Sequence, residues 1–212
     1  MMINDIIIEA CVETLEESIY AAQNGALQLE VCSQLSKDGL TPDENLLSEI
    51  ISKVRIPVKV MIRSREGDFY YSQDDLQQML VQIQRLKAYR IDGFVFGALT
   101  KNASGKNTLD ITTIYQLCKA ASPYHVTIHK AIDLCDDIKG EVLKLKNISN
   151  VKYILTSGGA VDAMTGYKML KEMQAVAGTE IDIIAAGKIT PKNLSQLVVK
   201  TGLKYFHGRK IV

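Results

Sequence analysis

Two glutamates sit inside runs that are otherwise apolar. Glu9 lies in Ile6-Ile7-Ile8-Glu9-Ala10-Cys11, and Glu30 lies in Leu27-Gln28-Leu29-Glu30-Val31. A carboxylate in such a run needs a polar partner or an open cavity. Side chains alternate along a strand, so Glu9 shares a face with Cys11 and Glu30 with Cys32. Paired carboxylates can divide acid and base work if one is kept protonated and the other charged. A buried salt bridge to Arg63 is the equal alternative. Arg63 and Arg65 stand in MIRSREGDFYYS, where the guanidinium fork suits a carboxylate or phosphate. Gly67 lets that segment turn close to a ligand, and Phe69, Tyr70 and Tyr71 can cover it. Solvated loop charges with an aromatic anchor are the plainer reading.

His129, Lys130 and Asp133 form a second group. His129 can exchange a proton near neutrality, while Lys130 can neutralise an anion or form an imine with a carbonyl. A structural histidine bonded to Asp133 is the competing reading. Glu30, His129 and Asp133 are thus the candidate catalytic residues. Three further segments, TSGGA, AAGKITP and HGRK, place glycines beside polar groups. Backbone N–H groups at Ser157, Gly158 and Gly187, with Lys188 and Arg209, would grip a phosphate or another small anion. Ordinary turns are the alternative. Cys11 and Cys32 can approach each other if their strands are neighbours, and thiolates favour Cu(I). Neither belongs to a close metal-binding motif, and buried cysteine is often a small hydrophobe. The histidines at 125, 129 and 207 fall outside HExxH, which removes the zinc-hydrolase signature.

The elements that must position these groups alternate from end to end. Strands are expected at 6–11, 27–31, 58–62, 91–96, 125–129, 153–156, 181–184 and 203–207. Helical patterns follow Thr14, start at Thr41-Pro42, run from Ser72 and Asp74 to about Tyr89, and start near Asp110. Others surround 142–145, span 162–175 and run from Pro191 to about Val199. Eight strands with seven intervening helices predict an α/β fold, a TIM-like (β/α)8 barrel over 1–212 as one domain, with its final helix short or missing. An open doubly wound sheet is the runner-up, but no GxGxxG follows the first strand. In a barrel the candidate residues lie at strand carboxyl ends and converge on one mouth. An uncovered seam where the last helix is missing would favour a homo-oligomer, a dimer first.

Of 212 residues, 47% are hydrophobic and 23% charged, which suits a globular protein with a large core. Lys and Arg total 25 against 24 Asp and Glu, so no nucleic acid or anionic membrane is expected as partner. Four cysteines without a close pair read as free thiols in a reducing compartment. MMINDIIIEACVE lacks a basic start and a cleavage signal, and no apolar run reaches the roughly 20 residues that span a bilayer. A cytoplasmic location is expected.

The segments LEVCSQLSKDGLTP, VMIRSREGDFYYS, IDGFVFGALT, TIHKAID, ILTSGG, AAGKIT and YFHGRK occur in that order, and together they resemble the CutC family, described as copper homeostasis proteins. The resemblance implies a TIM-like barrel, a cytoplasmic protein and a copper role, including Cu(I) held through cysteines. It implies no established reaction. The family's characteristic polar residues correspond to Glu30, Cys32, Arg63, Arg65, Asp68, His129, Asp133 and His207, with Cys11 matching a recurring cysteine. Three positions depart: Lys130 and Ile132 stand where the family has arginine and phenylalanine, and Arg209 where it has serine after His-Gly. Three functions follow: copper handling, an isomerase, epimerase or lyase acting on a small anionic or phosphorylated metabolite, and a non-catalytic dimeric scaffold.

Overall fold

The computed structural model describes residues 6–212; the first five residues, part of the stretch read above for a targeting signal, lie outside them. Ten strands form, β1 (Ile7–Val12), β2 (Gln28–Val31), β3 (Val58–Met61), β4 (Gly93–Phe96), β5 (Leu99–Lys101), β6 (Asn107–Leu109), β7 (His125–Ile128), β8 (Val151–Thr156), β9 (Asp182–Ala185) and β10 (Tyr205–Gly208). Eight of them close a parallel barrel in the order β1-β10-β9-β8-β7-β4-β3-β2. The closing pair joins the two ends of the chain, with Glu9 level with His207. Seven helices make the crossovers: α1 (Leu15–Gln23), α2 (Glu44–Lys53), α3 (Gln73–Leu86), α4 (Ile111–Ala121), α5 (Ile138–Leu145), α6 (Ala163–Ala177) and α7 (Pro191–Thr201).

Alternation along the strands sorts side chains onto two faces. The outward set, including Leu29, Val31, Val60, Phe94, Phe96, Ile128, Ile154 and Phe206, is buried beneath the helices as one apolar cluster. The inward set is unusual in being polar at its centre. Glu9, Gln28, Glu30, Lys59, Thr127 and His207 are all buried there. Tyr153, Leu155, Ile184 and Tyr205 pack together on one side of the interior, and toward the mouth Cys11, Cys32, Met61 and Val95 form a small second cluster.

Helix α2 begins later than Thr41-Pro42 suggests. Asp43 supplies the cap, accepting from Asn45 N–H at 2.8 Å. The Thr41 hydroxyl serves the strand instead, accepting from Arg63 N–H at 2.9 Å. Helix α3 starts as expected at Ser72, with Asp75 completing a capping box. The β5–β6 hairpin was not expected. Its turn is held by Asn102 Oδ1, which accepts from the N–H groups of Ser104 and Lys106, each at 3.0 Å. Leu99 N–H donates to Phe69 O at 2.8 Å, so the hairpin fixes the β3–α3 loop over the barrel mouth. No α-helix follows β10 among the described residues; a turn at Arg209-Lys210 leads to Ile211, buried against the core.

Candidate functional site

The carboxyl ends of the strands surround a cavity of about 490 Å3. Cys11, Glu30, Arg63, His129, Lys130, Asp133, Ser157 and His207 are in its wall, together with Leu35, Met61, Phe69, Leu134 and Leu155. Groups from β1, β2, β3, β7, β8 and β10 therefore share one opening.

Beneath this cavity lies a closed ionic network. Glu9 is fully buried and accepts at Oε2 from Gln28 Nε2 at 2.7 Å, while Lys59 Nζ pairs with the same oxygen at 2.8 Å. Its Oε1 is 2.8 Å from His207 Nδ1. Arg63 was expected as the salt-bridge partner of these glutamates; Glu9 pairs with Lys59 and His207 instead, and Glu30 has only His207, at 3.8 Å. Lys59 points inward from β3, level with Glu30, whereas Arg63 lies past the end of that strand. Lys59 Nζ also lies 3.9 Å from the centre of the Tyr153 ring.

The two glutamates consequently differ. Burial works to raise the pKa of Glu9, but Lys59 and His207 outweigh it and hold the carboxyl at about 2. Burial raises Glu30 to about 7, reinforced by the charge on Glu9 and opposed by His207 and Lys59. Glu30 Oε2 has no hydrogen-bond partner among the described residues; the nearest cation is His207 Nδ1 at 3.8 Å. Burial disfavours a charged His207, but Glu30, Cys11 and Glu9 together raise its pKa well above the ordinary value.

Cys11, Glu30 and His207 each present one ligand atom within 4.8 Å of the others, a cluster able to hold a metal ion. Cys32 adds a thiol, its Sγ 3.7 Å from that of Cys11. The hydrogen bond with Cys32, burial and the nearby Glu30 push the Cys11 thiol well above its usual pKa. Cys118 and Cys135 are buried elsewhere, unpaired.

On the other wall His129 ends β7 and caps the short 3-10 turn Lys130–Leu134. Its Nδ1 accepts from Ala131 N–H at 3.2 Å. Burial, with Arg63 adding to it, lowers its pKa to about 3. The sequence-based expectation of proton exchange at His129 near neutrality therefore does not fit its surroundings: the ring stays neutral. Nor does it bond Asp133. Asp133 instead accepts from Ser157 N–H and Oγ, each at 2.9 Å, from Gly159 N–H at 2.8 Å and from the Thr156 hydroxyl. The glycine loop after β8 does cradle an anion, and that anion is the protein's own carboxylate. Gly158 N–H is taken by Thr156 Oγ1 at 2.8 Å.

The remaining candidates separate from the mouth. Arg65 braces its loop, 2.8 Å from Asp68 and 3.1 Å from Asp75, and neither Arg65 nor Asp68 is in the cavity wall. Arg209 pairs with Glu13 at 2.9 Å, also away from the cavity wall. Gly187 packs behind Ser157, and Lys188 takes a left-handed φ of 54°. Lys130 Nζ does reach the mouth, 3.8 Å from Asp133. Sequence reasoning passed over Gln28, Lys59 and Tyr153. A signal existed for Lys59: a lysine between valines in Val58-Lys59-Val60 must face inward if its neighbours cover the outer core.

A family model described as the CutC family matches residues 6–212. A CutC family protein from Photobacterium profundum is 36% identical over 202 residues, which cover 94% of this chain and 80% of that relative. A protein from Homo sapiens named copper homeostasis protein cutC homolog is 34% identical over 204 residues, covering 96% and 73%. A crystal structure of CutC from Streptococcus agalactiae is similar with a TM-score of 0.89 at 28% identity, covering 98% of this chain and all of that one.

Proposed function

The chain belongs to the CutC family, and we propose that it works as an enzyme moving a proton on a small polar metabolite, with Glu30 as the proton carrier. The observation that carries this is the free Oε2 of Glu30, buried yet in the wall of a cavity large enough for such a molecule. A carboxyl with a pKa of about 7 is present in both protonation states at neutral pH, as proton transfer in both directions requires. Glu9 remains charged and, through His207 and Lys59, keeps the floor of the site rigid. Isomerase, epimerase or lyase chemistry uses such a group. Lys130 and Arg63 favour an anionic metabolite. The test is proton NMR in D2O with a panel of small hydroxy-aldehydes, hydroxy-ketones and 2-oxo acids. Wild type should wash out a carbon-bound proton of one class, and Glu30→Gln should slow that exchange by a factor of roughly 100 or more. Exchange unaltered by Glu30→Gln would refute the assignment.

A second reading is copper handling, with Cu(I) as cargo. It is favoured by the thiols of Cys11 and Cys32, 3.7 Å apart beside His207. Soft sulfur donors suit Cu(I), and His207 would serve as a third ligand; Glu30 is a harder donor and suits it less. Anaerobic Cu(I) titration against a competing chelator separates this reading. Cys11→Ala and Cys32→Ala should each abolish tight binding, and affinity unchanged in both removes the thiol site. Among the described residues no helix is long and apolar enough to cross a membrane; a reducing compartment such as the cytoplasm is proposed for either activity from the four free thiols. A homodimer covering the seam between β10 and β1 completes the proposal.

A further inference from the structure

Arg63 is buried to 2% exposure, where a guanidinium ordinarily faces a carboxylate. Its fork meets only backbone: Nη1 donates to Lys37 O at 3.0 Å and Gly39 O at 3.2 Å, and Nη2 to Gly67 O at 2.6 Å. Among the described residues no acid pairs with it. Carbonyl dipoles satisfy Nη1 and Nη2, while the buried Nε has no acceptor among the described residues, and a full positive charge is left at the cavity wall.

His129 stands in that field. Its Nδ1 accepts from Ala131 N–H, so the proton of the neutral ring is on Nε2. That Nε2 is buried and has no acceptor among the described residues. The ring is also fixed in place: a Cβ at Gly97 would lie 2.8 Å from its Nδ1. A buried donor left without an acceptor is unfavourable, so the site calls for one. Phe69 covers the spot, its ring centre 4.7 Å from that of His129 and 4.8 Å from Arg63 Cζ. It is carried on the β3–α3 loop, which tethers to the hairpin through Phe69 O and the Tyr70 hydroxyl, not through the Phe69 ring.

We propose that His129 and Arg63 form the seat of a ligand's sp2 oxygen that carries or develops negative charge, reached when Phe69 moves aside. This rests on the reading of Glu30 as proton carrier and names the substrate class: small carbonyl compounds with a C–H next to the carbonyl. Glu30 carboxylate takes that proton, the C–H electron pair becomes the new C=C bond, and the carbonyl π pair moves onto oxygen. The resulting enolate oxygen accepts from His129 Nε2–H, with the Arg63 charge nearby. A neutral imidazole polarises the carbonyl without giving up its proton, and return of the proton from Glu30 to carbon closes the cycle.

The probe is acetohydroxamate, a planar enolate mimic, added to reduced 15N-labelled protein in metal-free buffer. The His129 Nε2–H signal should move downfield on saturation, and His129→Gln should weaken binding about tenfold or more. Glu30→Gln should bind the mimic and yet lose deuterium exchange. An Nδ1–H tautomer, an Nε2 signal that the mimic leaves in place, or no binding at millimolar concentration overturns the oxygen seat. Those results leave the deuterium-exchange test of Glu30 standing. Conversely, exchange that survives Glu30→Gln while the mimic still shifts Nε2 removes the proton carrier and keeps the seat. The wild-type spectrum decides the matter even if His129→Gln does not fold.

Discussion

Replacing Lys59 by methionine should be the most informative single change to the barrel interior. Lys59 Nζ and Glu9 Oε2 are 2.8 Å apart, with side chains 5% and 0% exposed. Removing one partner leaves a buried carboxylate, a change that typically costs 3–5 kcal/mol. Titration gives an independent figure. Glu9 sits at about 2 in the folded protein against an ordinary 4.5. A depressed carboxyl contributes stability that is fully present above about pH 4.5 and is lost as pH falls through about 2. At about 1.4 kcal/mol per pH unit that contribution is about 3 kcal/mol. His207, still 2.8 Å from Glu9, keeps the expected loss near this lower figure. For a chain of this length about 3 kcal/mol lowers Tm by about 6–12 °C. Thermal melts followed by circular dichroism at pH 7.5 and pH 3 measure it. Lys59→Met should fall by that amount at pH 7.5 and by less than half of it at pH 3, where the depressed Glu9 carboxyl of the wild type has already lost much of its contribution. The double variant Glu9→Gln with Lys59→Met should recover more than half of the loss. A Tm change under about 2 °C at pH 7.5, or a double variant no more stable than Lys59→Met alone, would refute the buried-pair argument.

Other consequences can be checked with the same preparations. Asp133→Asn replaces an acceptor of four donors by a group that must turn an NH2 toward some of them. It should cost about 2 kcal/mol, read as a Tm loss of about 4–8 °C, and a neutral result would show the β8 loop holds without it. In α6, Gly166 lies directly against Ser157 O, so the methyl of Gly166→Ala would strike backbone. Chemical denaturation should show a loss of about 2 kcal/mol or more, and wild-type stability would contradict the close approach. Arg63→Lys keeps the charge but not the fork on Lys37 O, Gly39 O and Gly67 O. Amide hydrogen exchange in both loops should quicken severalfold, with the β-barrel core unchanged. Tyr20 is 58% exposed beside the β1–β10 seam; Tyr20→Lys should convert the proposed dimer to monomer by light scattering, and a monomeric wild type would end that proposal.

Local chemistry made much of this molecule readable. Alternating β-rich runs and capped helical segments implied eight strands and seven crossovers, because periodicity and caps such as Ser72 with Asp75 act within a few residues. The same alternation put Glu9 with Cys11, and Glu30 with Cys32, on a shared face of each strand before any neighbour was known. Even the hairpin had its cue in Lys101-Asn102-Ala103-Ser104-Gly105, where Asn102 folds the turn onto itself.

What lay beyond reach was decided by contacts between residues far apart in the chain. Glu9 and His207 meet only because the barrel closes, and Lys59 rather than Arg63 joins them because strand register sets depth in the interior. Asp133 fills the glycine loop that looked ready for phosphate, since the turn after β7 brings it under Ser157 and Gly159. His129 and Glu30 are ordinary titratable residues in a sequence; burial beside Arg63 keeps one neutral, and burial beside Glu9 keeps the other half protonated near neutrality. Composition and spacing therefore specify which groups face inward. Desolvation and the charges of distant neighbours, which exist only once the chain is folded, specify what those groups can do.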